Sequence, residues 1–290
     1  MTLTRRRFLA IAAAFAGSPA LAQRHSWQGF ALGAEVSITL TGPVQLAEPI
    51  LERAKRLIKD VEAAFSLYDP ASALTRLNQA KQLQPSQRFH TLMTLADAAF
   101  QVTDGLFDPT VQPLWQALAD GGATDKALES IGWERVEFTP DHIALQSDQA
   151  LTFNGIAQGF ATDLVAEMLD ANGFDAALIN IGEYRSTGGT WRLGIKDAQH
   201  GLLGQRSLTR GAIATSDTGT SPLRERGHIL HPTARPQWSS VSVEADTAAW
   251  ADALSTALTL APLDQVRAIK AAAHLRRVTL VSFDGELTTL

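Results

Sequence analysis

Asp252 and Thr256 stand four residues apart in Ala251-Asp252-Ala253-Leu254-Ser255-Thr256, so on a helix the carboxylate and the hydroxyl project from one face. Two hard oxygens on one face form part of a site for Mg²⁺, which completes its shell with water and phosphate oxygens. A solvated or capping pair has the same spacing, and the spacing alone leaves both readings open. In a second stretch, from Leu151 to Asp163, a short β-rich run breaks at a turn spaced by Gly155 and Gly159, and a helix follows through Leu164, Val165, Met168 and Leu169. The unpaired amides opening that helix lie at the positive end of its dipole and suit an anion such as a pyrophosphate. Read as an ordinary turn, the same glycines serve backbone geometry only. His228 could act as a general base, since an unperturbed imidazole titrates near neutrality. Zinc at His228-x-x-His231 is disfavoured, because Pro232 interrupts a helix and the chain has no cysteine. No serine-hydrolase elbow, Walker A loop or complete Gly-x-Gly-x-x-Gly is present.

The elements that must position these groups follow from periodicity. Trp27 to Leu40 is β-like, and Leu46 to Tyr68 predicts a long amphipathic helix ending at a polar stretch, Asp69 to Ser72. A helix is expected over Phe89–Val102, short strands over Ile131–Phe153 with a turn at Thr139 to His142, and a buried strand over Ala176–Ile181. Beyond these come a β-like Trp191–Ile195, a Ser/Thr/Gly-rich loop over Thr215–Ser221, and a strand over Ser239–Val243. Helices near Thr247–Leu260 and Pro262–Ala273 precede a last strand, Val278–Phe283. Helices and strands interleave without a regular βαβ count, which predicts an α+β fold of mixed sheets and packed helices in two intimately joined lobes.

With 45% hydrophobic residues in 290, the chain can bury a sizeable core. Residues 1–22 carry Arg5-Arg6-Arg7, an apolar run from Phe8 and then Ala20-Leu21-Ala22, the order of a cleavable twin-arginine export signal. The expected mature chain is a single domain over residues 23–290, exported to the periplasm. Removing the leader's three arginines takes the net charge from −5 to −8, which disfavours nucleic acid as a partner. No later segment has the length and apolarity of a membrane span, so an integral membrane protein is not expected.

In order along the chain, these segments resemble the ApbE family of FAD:protein FMN transferases. The resemblance is carried by Ala31-Leu32-Gly33-Ala34, Ala64 to Tyr68 with Leu77-Asn78, Phe107 to Leu114, Gly155 to Gly159, His228 to Pro232 and Ala251 to Ala257. It implies an ApbE-like fold and the transfer of FMN from FAD to a Thr or Ser hydroxyl of a target flavoprotein, with Mg²⁺. The target would bear a Ser/Thr-Gly-Ala-Thr/Ser-like acceptor motif. It further implies that the carbonyls of Gly155 and Ser255 join Asp252 and Thr256 around the metal. Leu32, Tyr68, Leu106, Phe107, Asp108, Thr152, Gln158 and Leu230 would lie along FAD, and His228 would take the incoming hydroxyl's proton.

Departures from the family pattern are Thr152 for an acid, Gln158 for a lysine, Gly182-Glu183-Tyr184 for Gly-Gly-Asp, Thr215-Ser216-Asp217 for Thr-Ser-Gly, and His231 for an aspartate. Losing the lysine should weaken anion binding unless a group such as Arg185 compensates. The Asn-Gly-Ile-Ala-Gln-Gly and Ile-Gly-Glu variants resemble the NosX-like branch, linked to a membrane flavoprotein of nitrous oxide reduction. An FAD-binding accessory protein without catalysis and an FAD pyrophosphatase are the rival expectations.

Overall fold

Leu32 and Gly33 both take left-handed backbone angles, φ 50° and 77°, and this two-residue turn joins β1 (Arg24–Ala31) to β2 (Ala34–Thr41). The computed structural model describes residues 23–219 and 227–290. The export leader expected over residues 1–22 lies outside the described residues. After the hairpin comes α1 (Val44–Phe65), whose Ala47, Ile50, Leu51, Ala54, Ile58, Val61 and Phe65 form the buried stripe that the periodicity requires. α2 (Ala73–Ala80), β3 (Gln82–Leu83) and α3 (Gln87–Val102) follow, then a 3₁₀ turn at Pro109–Val111 that leads into α4 (Gln112–Ala119). The remaining elements are α5 (Asp125–Glu129), β4 (Glu137–Phe138), β5 (Ile143–Ala144), α6 (Ala157–Ala171), β6 (Ala177–Ile181), β7 (Tyr184–Ser186), β8 (Trp191–Asp197), β9 (Gly201–Leu208), β10 (Gly211–Asp217), β11 (Ser240–Ala245), α7 (Ala248–Leu258), α8 (Leu263–Ala272), β12 (Arg277–Val281) and β13 (Leu287–Thr289).

An eight-stranded sheet in the order β1-β2-β6-β7-β10-β11-β12-β13 is the scaffold, and its neighbours pair antiparallel throughout. The α+β expectation holds, and its mixed sheets resolve into wholly antiparallel ones. α6 and α7 pack on each other and on the sheet, α6 against β6 and β7, α7 against β10 and β11. One hydrophobic core runs through these layers, with Phe65, Phe89, Phe153 and Phe160 clustered at ring separations of 5.0 to 6.1 Å. A smaller cluster of Leu178, Trp191, Leu193, Leu208 and Ile213 joins the β8–β9 hairpin to the sheet. Among the described residues no helix is long and apolar enough to cross a membrane.

Three local expectations are corrected. Leu151–Phe153 is not a strand but an extended segment, tied to Asn78 through both its backbone groups at Leu151, 2.8 and 2.9 Å. The polar stretch after α1 opens a helix, because the Ser72 hydroxyl caps α2 by accepting from the Thr75 amide at 3.0 Å. Thr215–Asp217 ends the interior strand β10 rather than forming a loop.

Candidate active site

α6 and α7 meet at their first turns, and the contact admits no side chain on Gly159: a Cβ there would lie 2.3 Å from the Ala248 carbonyl oxygen. Neither helix is capped by its own N-cap side chain, Ile156 or Thr247. Each is capped by a carboxylate of the other. Asp252 on α7 accepts from the Gly159 amide at 3.0 Å, and Asp163 on α6 accepts from the Ala248 and Ala249 amides at 2.7 and 2.8 Å. The phosphate seat expected at the start of α6 is thereby corrected. The Ala157 amide donates to the Phe153 carbonyl at 2.8 Å and the Gly159 amide to Asp252, so the anion at this helix end is the protein's own.

The glycine turn nevertheless adjoins the Asp252 face. A Cβ on Gly155 would fall 3.0 Å from the Thr256 hydroxyl and 3.3 Å from the Phe107 ring, so Gly155, Phe107 and Thr256 form one wall. Ser216, at the end of β10, adds a hydroxyl 2.8 Å from that of Ser255 and 3.2 Å from that of Thr256. Hydroxyls from α7 and β10 thus converge beside the turn before α6.

Their electrostatics are unbalanced. Burial raises the Asp252 carboxyl to about 7 in spite of the Gly159 amide, and Asp163 pushes it the same way. Glu183, also buried, is pushed well up by burial and next by Asp252, against the Thr215 amide that donates to it at 3.0 Å. Arg185 supplies no charge here. Its guanidinium binds Asp163 at 2.5 Å and Glu167 at 3.5 Å, so it does not replace the missing lysine.

Other expected residues fall around this centre. Gln158 donates to the Leu32 carbonyl at 3.1 Å, and the Leu32 amide donates to Glu62 at 3.0 Å, so position 158 braces the β1–β2 turn. Asp108 accepts from the Thr110 amide at 2.8 Å and the Thr110 hydroxyl at 2.6 Å, and burial raises its carboxyl. The Thr152 amide donates to the Pro109 carbonyl at 2.9 Å, while its hydroxyl accepts from the Asn154 amide at 3.2 Å. Leu106 is buried, Leu230 and His228 are half-buried, and Tyr68 is 82% exposed. Nδ1 of His231 accepts from the Ala234 amide at 2.9 Å, and its ring bonds the Gly105 backbone, so it struts the 227–231 segment against the approach to Phe107. Burial lowers the His231 pKa. Asp163 and Ser216 were not anticipated as site residues. Asp163 carried a signal, an acid one turn beyond Gly159 on a largely apolar helix.

Fold and site together define an α+β protein in which oxygen-bearing side chains of α7 and β10 are set against the turn that opens α6. The sequence matches the ApbE family over residues 32–279, and the chain belongs to that family. Among its relatives, the FAD:protein FMN transferase of Vibrio cholerae is 27% identical over 267 residues, 79% of this chain and 78% of that protein. The FAD:protein FMN transferase of Klebsiella pneumoniae is 28% identical over 210 residues, 64% of this chain and 66% of the relative. The crystal structure of the ApbE protein of Thermotoga maritima superposes with a TM-score of 0.81 at 25% identity, covering 92% of this chain and 96% of that one. The Vibrio cholerae flavin transferase ApbE shares the fold at a TM-score of 0.80 and 23% identity, over 93% and 97%.

Proposed function

We propose that this chain is a Mg²⁺-dependent FAD:protein FMN transferase that esterifies a Thr or Ser hydroxyl of a target redox protein. The observation carrying the reading is the contact of Asp252 with Gly159 in the first turn of α6 and of Thr256 with Gly155 in the turn before it. The donors fit Mg²⁺: one carboxylate, the Thr256 hydroxyl and the carbonyls of Gly155 and Ser255 are all hard oxygens. Among the described residues no three His, Cys, Asp or Glu side chains gather as a metal cluster, so this reading rests on hydroxyl and carbonyl donors beside a single carboxylate. When bound, Mg²⁺ would supply charge neutralisation at the diphosphate.

The chain's own groups do the remainder. Leu32, Leu106, Phe107, Asp108, Thr152, Gln158 and Leu230 line the flavin nucleotide's course, with Tyr68 exposed at its edge. His228 accepts the proton of the incoming hydroxyl as a phosphorus–oxygen bond forms to the acceptor and the diphosphate bond breaks, releasing AMP. The acceptor would carry the Ser/Thr-Gly-Ala-Thr/Ser-like motif. The Gln158 and Glu183 variants support a NosX-like role in maturing a membrane flavoprotein of nitrous oxide reduction. The twin-arginine leader supports work in the periplasm.

The test is incubation with FAD, Mg²⁺ and an acceptor-motif peptide, followed by mass measurement of peptide and nucleotides. An FMN adduct on the hydroxyl with equimolar AMP is expected. Free FMN and AMP without adduct would make the protein a pyrophosphatase, and intact bound FAD would make it an accessory binder.

A further inference from the structure

The metal donors proposed above are divided between two helices. Gly155 lies in the turn before α6, whereas Asp252, Ser255 and Thr256 ride on α7. Their spacing depends on how far α7 is shifted and rotated against α6. Asp163 fixes that relation. It reaches from α6 to both amides that open α7, at 2.7 and 2.8 Å, one helical turn before Asp252. A local cap would hold α7 without registering it on α6, yet the Thr247 side chain makes no cap bond. Instead a carboxylate with only 6% of its residue surface exposed is used, and Arg185 from β7 orients it at 2.5 Å. The two-amide geometry restrains both translation and rotation, and the Gly159–Asp252 bond closes the ring from the other side.

We infer that Asp163 is the positioning residue of the metal centre, holding Asp252 and Thr256 in register with the Gly155 turn, and that Arg185 holds Asp163. This rests on the Mg²⁺ reading of Asp252. Residues that orient metal ligands typically set affinity by about 10–100-fold, which gives the scale of the effect.

The experiment is titration of the full-length protein, without FAD, with Mn²⁺ followed by the free-ion EPR signal. Five proteins are compared: wild type, Asp163→Asn, Arg185→Gln, Asp252→Ala, and Ile269→Ala as a destabilised control in α8, outside the elements that carry the donors. Asp163→Asn loses the charge and opposes its amide N–H to a backbone donor. It should weaken Mn²⁺ binding by about tenfold or more, with Arg185→Gln shifting in the same direction and Ile269→Ala unchanged. Wild-type affinity in both Asp163→Asn and Arg185→Gln would overturn the inference, as would equal weakening in Ile269→Ala. If Asp163→Asn does not fold, Arg185→Gln decides alone. Failure of the metal reading is seen separately, as wild-type binding that Asp252→Ala leaves intact.

Discussion

The Ser216 hydroxyl lies 3.2 Å from the hydroxyl of Thr256 and 2.8 Å from that of Ser255, tying the end of β10 to the donor face of α7. A hydroxyl has one proton, so Ser216 decides which lone pairs of its partners remain directed outward. Ser216→Ala removes that orientation and leaves two polar neighbours short of a partner. We expect a loss of about 0.5–1.5 kcal/mol in stability by denaturant titration and a raised KM for Mg²⁺. An unchanged KM for Mg²⁺ would show that the hydroxyl network is only packing.

Asp252→Asn separates stability from function. The asparagine keeps an acceptor for the Gly159 amide but removes a carboxylate that sits buried near Glu183 and, among the described residues, forms no ion pair with an arginine or lysine. Flavin transfer should fall by at least about a hundredfold, the scale of losing a metal-held charge at a transferring phosphoryl group. The thermal midpoint of the metal-free protein should rise, since a like-charge conflict has been removed. Transfer at wild-type rates under limiting Mg²⁺ would remove Asp252 from the mechanism.

The same carboxylate makes metal-free stability depend on pH in a defined direction. Its folded pKa, about 7, exceeds its ordinary value of 3.8, so between these the native state binds more protons than the unfolded chain. Stability therefore falls as pH rises through that window, and Glu183, also raised, adds in the same sense. Mg²⁺ competes with the proton and should stabilise little at pH 5 and strongly at pH 8. Thermal midpoints in EDTA and in Mg²⁺ at both pH values check this, and a Mg²⁺ shift that shrinks as pH rises would contradict it.

Gly155, before α6, and Gly159, within its first turn, should respond differently to alanine. At Gly159 the new methyl would lie 2.3 Å from a backbone carbonyl of α7, which cannot rotate away, so the helices must part. Gly159→Ala is expected to cost about 3 kcal/mol or more and to lower the soluble yield. At Gly155 the nearest atoms are the Thr256 side chain at 3.0 and 3.2 Å, which can turn. Gly155→Ala should fold, with its defect in the KM for Mg²⁺, and far-UV circular dichroism with a Mg²⁺ titration of each variant tests the contrast.

Much of this was legible in the sequence where one period dominates. The stripe of α1, the apolar run of β6 and the Asp252–Thr256 face each follow from spacing, whereas the β-like stretch Trp27–Leu40 carried no sign of the turn at Leu32-Gly33 that divides it into β1 and β2. Other features depend on partners distant in the chain. α2 buries only Leu74 and Leu77 and is signalled mainly by its Ser72 cap, too short a pattern for periodicity to register. The hydroxyls of Thr215 and Ser216 read as loop chemistry, but Ser242 on β11 and Ser255 on α7 satisfy them at 2.7 and 2.8 Å, so tertiary contact overrides composition. The reciprocal caps of Asp163 and Asp252 join residues 85 to 93 positions apart, a relation that no local pattern contains.

Gln158 replaces the lysine of the family pattern, and its geometry gives that departure a measurable meaning. The side chain donates to the Leu32 carbonyl at 3.1 Å and lies against Gly182, where an added Cβ would come within 2.6 Å of its amide group. At this position a side chain braces the β1–β2 turn from α6. A lysine here can give the same carbonyl one ammonium hydrogen, so Gln158→Lys should preserve the brace and add a partly screened charge. FAD affinity is then expected to improve by no more than about threefold, the scale of a solvent-screened ion pair. Gln158→Ala removes the brace and leaves the Leu32 carbonyl without this donor, so FAD binding should weaken through a loosened turn, with enhanced amide exchange at Leu32 and Gly33. Fluorescence titration of FAD at low and high salt separates the two effects. A gain of a hundredfold in Gln158→Lys that vanishes in salt would mean that position 158 faces the phosphates and that the brace is incidental.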